Sequence, residues 1–206
     1  MLGIENYILF MMTALFFIMI PGIDTVFVLN KTITRGRRSG FVSAIGVNAG
    51  ILTHTVVSAL GLTAILSKSE IGMMAIQYIG AVYLVFMGIK QLNNKTEVFQ
   101  NSKVTEKLKN DFWAGFSTNS LNPKVALFFL ALFPQFIVPT RINDPQPFLL
   151  LGFTYAVIGI IWYMLLTLCA STFSNKIRNN ATYGLWINRV SGLVFILMGL
   201  QIALGK

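Results

Sequence analysis

Hydrophobic residues run along this chain in long unbroken stretches, and the acids and bases fall between them. Eighteen uncharged residues, Asn6 to Ile23, separate Glu5 from Asp24. Twenty-nine run from Ser39 to Ser67, with His54 among them, and nineteen from Ile71 to Ile89. A further twenty-nine, Phe112 to Thr140, are interrupted only by Lys124; thirty-one run from Pro145 to Asn175, and sixteen from Val190 to Gly205. About 20 mostly apolar residues cross the hydrocarbon core of a bilayer as a helix. The pattern predicts an all-α integral membrane protein with six transmembrane helices, roughly 5–30, 41–66, 71–92, 112–138, 147–171 and 185–205. Barrel strands would alternate apolar and polar residues, and these runs do not. The first run lacks a basic lead-in and ends in Pro-Gly-Ile-Asp, not a small-x-small cleavage site. It reads as a retained span.

Composition agrees. Of 206 residues 55% are hydrophobic and 11% charged, with mean hydropathy +0.70. A soluble domain carries about 25% charged residues. The net charge of +9 comes from 16 Lys and Arg against 7 Asp and Glu, and its distribution is informative. Six spans put the first, third and fifth loops on one side. Those loops hold Lys31, Arg35, Arg37, Arg38, Lys90, Lys95, Lys103, Lys107, Lys109, Lys176, Arg178 and Arg189. The other side holds Lys68, Arg141 and Lys206. The twelve-to-three bias assigns the odd loops to the cytoplasm and both termini to the extracytoplasmic side. Trp113, Tyr183 and Trp186 fall near cytoplasmic span ends, where they suit interfacial anchors. Basic loops on a membrane protein set topology, so no nucleic-acid partner is expected.

The single membrane domain, 1–206, divides at one polar stretch. A first unit of about 1–92 is followed by a cytoplasmic linker, about 93–110, and a second unit, about 111–206. Three spans per unit force opposite orientations. Gly80-Ala-Val-Tyr-Leu-Val-Phe-Met-Gly88 resembles Ser191-Gly-Leu-Val-Phe-Ile-Leu-Met-Gly199, and the first span of each unit carries a proline, Pro21 or Pro123. The expectation is two inverted three-helix repeats, a plan that secondary transporters use to set the substrate site where broken helices meet.

Two ionisable residues stand out. Asp24 follows Pro21 and Gly22, and an acid inside a span costs about 2.5–3.5 kcal/mol on insertion scales, so it normally faces a partner or water. Proline removes a backbone donor and Gly eases the break, so Pro21, Gly22 and Pro123 are the expected helix-break residues. Lys124, in Ser120-Leu-Asn-Pro-Lys, lies about twelve residues into its span, or about 18 Å deep. An Asp24–Lys124 pair is the simplest neutralisation of both. The alternative to a substrate or coupling site is a static structural ion pair. A carboxylate and an amine together suit the ammonium and carboxylate of a zwitterionic amino acid. Asn48, Asn119 and Asn122 are candidate substrate contacts beside them, and Asn30, His54, Ser120 and Gln135 could complete a cavity. Gly46 and Gly50 form a small-xxx-small face for close helix approach.

One Cys and one His make metal clusters and Cys-His nucleophile pairs poor bets. No phosphate-binding G-x-x-x-x-G-K-[ST] motif occurs. The expectation is a transporter and not an enzyme, without cofactor or metal, drawing on an ion or substrate gradient.

In these residues the chain resembles the LysE/RhtB family of bacterial amino-acid exporters. The carriers of the resemblance are Pro21-Gly22-Ile23-Asp24, the Gly36-Arg-Arg-Ser-Gly40 loop, Gly46-x-x-x-Gly50, Gly80-Ala-Val-Tyr-Leu, and Gly115 through Asn122-Pro-Lys to Phe133-Pro-Gln-Phe136. The resemblance implies efflux of amino acids or close derivatives across the bacterial inner membrane, with proton antiport the usual proposal. It also implies that Asp24 and Lys124 are the family's charged intramembrane positions. Amino acid, protons and lipid are the expected partners, and the chain is compatible with a homo-oligomer. Two departures matter. Ile23 stands where the family usually has a second Pro, which should soften the first break. Val157-Ile-Gly-Ile-Ile-Trp162 lacks the acid many relatives carry before the Trp, which favours neutral substrates of the homoserine, threonine or leucine type over lysine. The competing reading is an ion or metal-ion exporter of the same architecture. One intramembrane acid and one His are thin ligands for it, and Lys124 would repel the cation.

Overall fold

Proline and glycine decide where the first span stops being straight. In a computed structural model of the protein, which describes residues 3–62, 70–93, 108–178 and parts of 189–204, this span is two helices, α1 (Tyr7–Met19) and α2 (Ile23–Arg35). They meet at 55°. Ile20, ahead of Pro21, is extended (ψ 115°), as a residue before proline prefers. Gly22 is extended too, and Ile23 opens α2. The second proline is thus not needed: the break is complete with Ile23, which points outward at 60% exposure.

Gly36, at φ 87°, turns the chain directly from α2 into α3 (Arg37–Val57), which ends in a π-helical turn, Ser58–Leu62. Only a residue without Cβ holds that φ at little cost. The third expected span corresponds to the helix α4 (Glu70–Asn93). The fourth expected span is broken as the first is: α5 (Leu108–Ser120), a gap at Leu121 and Asn122, then α6 (Pro123–Leu127). A π turn (Phe128–Leu132) and a 3-10 turn (Phe133–Phe136) extend α6. α7 (Pro145–Arg178) runs past the expected end at 171, and the described residues between 189 and 203 are helical. Residues 94–107 of the expected linker, Tyr183, Trp186 and about half of the expected sixth span lie outside the described residues.

Among the described residues, Arg37–Gly61 and Pro145–Ala170 are each long and apolar enough to cross a membrane, and the bent α1–α2 pair makes a third crossing if taken as one. Tyr78–Lys90 and Pro123–Phe136 are shorter apolar helices. Large apolar side chains face outward around the molecule, among them Ile8, Leu60, Val82 and Phe153, each more than 60% exposed. A water-soluble surface would not carry so many.

The interior is aromatic. Phe10, Phe17, Phe128, Phe129, Phe133, Phe148 and Tyr155 are buried, with Phe17 and Phe128 rings 4.3 Å apart and Phe129 and Phe133 4.1 Å apart. α3 is central and packs on α2, α5 and α7. It meets α5 backbone to backbone: a Cβ at Gly46 would lie 2.1 Å from the Phe112 carbonyl oxygen, so any side chain there forces the helices apart. α4 meets the last helical stretch in the same way. Added Cβ atoms at Gly88 and Gly199 would lie 2.6 Å from the Gly192 and 2.7 Å from the Ala81 carbonyl oxygens, so the two helices run antiparallel. At one end of the molecule Gly3 to Glu5 pair with Phe136 to Val138 in a short antiparallel bridge, which fastens the N-terminal segment to the turn beyond α6.

Candidate functional site

The two helix breaks meet. Pro21 has no N–H to give the carbonyl four residues back, so it leaves the Phe17 oxygen without its helical donor. Lys124 supplies one: its Nζ donates to the carbonyls of Phe17 (3.1 Å) and Ile20 (2.8 Å) and lies 4.7 Å from the Phe17 ring centroid. The Lys124 side chain at the start of α6 is thereby held by the open end of α1.

Each residue of Asn122-Pro-Lys has a distinct task at the start of α6. Asn122 is the N-cap, its Oδ1 accepting from the Lys124 backbone N–H at 3.0 Å. Pro123 occupies the first helical position, where a missing N–H costs nothing. With Oδ1 committed to the cap, the Asn122 amide group turns to Asp24 and donates to its Oδ2 at 2.9 Å. Asn119, on the last turn of α5, donates to the same oxygen at 2.8 Å.

Asp24 is 4% exposed and sits in the first turn of α2, where the helix dipole favours an anion. Its other oxygen, Oδ1, is buried and accepts no hydrogen bond among the described residues. Asp24, Lys124, Gly22, Thr25, Asn122 and Val125 wall a small cavity together with Phe17, Ile18, Tyr155 and Tyr163. The cavity is about 10 Å³, room for no more than one water. An amino acid enters only if the helices part.

The expected site residues therefore divide. Asp24, Lys124 and Asn122 line the cavity, and Asn119 braces Asp24 from behind it. Asn48 lies on the α3–α7 contact, where its Nδ2 donates to Ala44 on its own helix and its Oδ1 packs at Gly159. It also lines an apolar groove of about 340 Å³ between α3 and α7, open toward the surroundings. Gln135 bonds back to Ala131, and neither it nor Asn30 lines the cavity. Ser120, at the end of α5, is half-buried, with its hydroxyl oxygen buried and without a hydrogen-bond partner among the described residues. His54 reaches the carbonyl of Asn119 at 3.0 Å.

Sequence reasoning missed three participants. Tyr155 and Tyr163 were two aromatics among many in an apolar run, with nothing to say which faced inward. Asp111 served only as the end marker of a run. In the structure it is fully buried and takes Lys31 Nζ (2.7 Å), Arg35 Nη1 (2.5 Å) and Ser39 Oγ (2.7 Å). Lys31, expected as a loop cation, is 4% exposed. The clasp joins α2 to α5 two helical turns from Asp24.

The sequence matches the LysE type translocator family over residues 15–206. The chain belongs to that family. This LysE-type chain is 30% identical to an uncharacterized membrane protein of Vibrio cholerae over the full length of both. It is 26% identical to the leucine efflux protein of Klebsiella pneumoniae, across 94% of this chain and 92% of that one. A leucine efflux protein of Salmonella typhimurium is 27% identical over the same shares. No solved structure matches. The LysE-type chain is thus a membrane translocator, not an enzyme.

Proposed function

We propose that this LysE-type protein exports neutral amino acids, leucine-like ones first, in exchange for protons, with Asp24 and Lys124 at the substrate and coupling site. The observation that carries the reading is the uncommitted Oδ1 of Asp24, buried in a cavity wall that also holds an ammonium. A zwitterion brings complementary groups to both. Its α-ammonium takes the place Asp24 Oδ1 offers, and its carboxylate draws Lys124 from the Phe17 and Ile20 carbonyls. The aromatic wall of Phe17, Tyr155 and Tyr163 suits an apolar side chain. Leucine efflux proteins among the relatives support the substrate class. A proton on Asp24 cancels the charge that holds the ammonium, so proton entry from outside and substrate departure become alternatives at one carboxylate.

Two inverted repeats support such a cycle. If Gly80–Gly88 and Ser191–Gly199 correspond, Gly88 matches Gly199 and Ala81 matches Gly192. The contact of Gly88 with Gly192 then maps onto that of Gly199 with Ala81, as a two-fold-related pair requires. In this reading the chain has six spans in the bacterial inner membrane with both termini outside. The Asp111 clasp closes the cytoplasmic end of the path and the bridge at Gly3 to Glu5 the other.

The test is efflux from proteoliposomes loaded with labelled amino acids, with and without an imposed pH gradient. Leucine efflux accelerated by external acid is expected, and Asp24→Asn should abolish it while the protein still inserts. Near-normal flux from that variant, or no flux of any amino acid from the parent, refutes the reading.

A further inference from the structure

We infer that His54 is a positioning residue, which adds a side-chain donor to the Asn119 carbonyl at the end of α5 and so fixes Asn119 against Asp24. The inference deepens the transport reading and names a part of that same site. Pro123 has no N–H to give the Asn119 carbonyl four residues back, and the Asn122 N–H closes onto that oxygen at 2.8 Å instead. In the first break a lysine from another element donates to the exposed carbonyls; in the second a histidine adds a second donor to a carbonyl already bonded within its own turn. His54 Nε2 lies 3.0 Å from the Asn119 oxygen. A carbonyl only accepts, so that nitrogen carries the proton and donates.

Gly50, one turn earlier on the same face of α3, completes the seat. A Cβ there would lie 2.7 Å from Asn119 Cβ and 2.8 Å from its Oδ1. Asn119 is thus bounded by Gly50 at its side chain and held at its backbone oxygen by His54 together with the Asn122 N–H, and its Nδ2 points to Asp24 Oδ2 at 2.8 Å. His54 does not line the cavity around Asp24. It packs beside Phe129, ring centroids 5.8 Å apart, and acts through the end of α5. The role differs from a proton relay, which needs an imidazole that gains and loses its proton during transport. Here Nε2–H stays on a backbone oxygen throughout.

His54→Gln keeps a donor at similar reach, whereas His54→Phe keeps bulk and loses the donor. In the efflux assay, His54→Phe should lower the maximal rate at least about tenfold, since small misplacements of a site group cost rate steeply. His54→Gln should recover most of it with the pH-gradient dependence of the parent. The infrared band that Asp24→Asn removes gives a readout independent of transport. His54→Phe should move that band in the same direction as Asn119→Ala, and His54→Gln should leave it near the parent position. Loss of gradient dependence in His54→Gln makes His54 a proton carrier and overturns the inference. So does a band unmoved by His54→Phe but moved by Asn119→Ala. If the parent transports no amino acid the transport reading fails, and the band alone then decides for or against His54.

Discussion

Removing the charge of Asp111 should be among the most destabilising single changes available to this protein. The carboxylate is fully buried and faces two cations, Lys31 with a side chain 5% exposed and Arg35 at 19%. At 2.7 Å and an effective dielectric near 20, one such attraction is about 6 kcal/mol gross, most of it offset by the desolvation of both charges. The net worth of the cluster is therefore small, but the cost of taking out one member is not. Asp111→Asn keeps the shape and an acceptor for Ser39 while taking from Lys31 the carboxylate that faces it inside the α2–α5 contact. Breaking a buried pair in this way costs about 3–5 kcal/mol. Arg35, more exposed, can turn to water. SDS titration in mixed micelles measures the effect, with Trp113 as a built-in reporter. Its ring packs edge-on against Phe112 and Phe116 at 5.3 and 5.6 Å, two residues from the substitution. Lys31→Met added to Asp111→Asn removes the buried cation that faced the carboxylate and should recover at least about 1 kcal/mol of the loss, because close charges couple non-additively. A cost for Asp111→Asn below about 1 kcal/mol, unchanged by Lys31→Met, would show that water reaches the cluster and refute the reasoning.

Three further outcomes follow from the same geometry. Lys124→Met leaves the Phe17 and Ile20 carbonyls without that donor, at about 1–3 kcal/mol for each that stays buried and unsatisfied, and should also stop leucine efflux; unfolding midpoints and flux report the two effects separately. Asn122→Ala loses a helix cap, about 0.5–2 kcal/mol, and an amide on a carboxylate, whereas Asn122→Ser retains the cap and not the reach to Asp24. The serine variant should therefore be the more stable, with both slow in transport. Gly46→Ala pushes a methyl into the Phe112 carbonyl, while Gly61 has nothing within 4 Å of an added Cβ; melting of the first variant should fall well below that of Gly61→Ala, which should match the parent.

Much of this molecule was legible along the chain because charge is scarce in it. Uncharged runs marked the spans α3 and α7, and costly charges marked Asp24 and Lys124 as residues that need a reason. Pro21 and Pro123 announced both breaks, since a missing N–H is a local property that no packing restores. Other features depended on which faces met. α7 is apolar on every side, so its sequence carries no signal to separate Tyr155 and Tyr163, which wall the cavity, from Phe153, which faces outward. Lys31 and Asp111 looked like span-end charges because distance along a helix was the only available measure of depth. Only the antiparallel contact of α2 with α5 buries them together. Asn48 and Asn119 are the same residue type on helices that touch, yet only Asn119 reaches Asp24. Chain order alone dictates where the backbone must break and which charges cannot be left alone. The tertiary structure decided which neighbours answer them, because a bare carbonyl or a buried carboxylate accepts from whichever donor the helix packing brings within 3 Å.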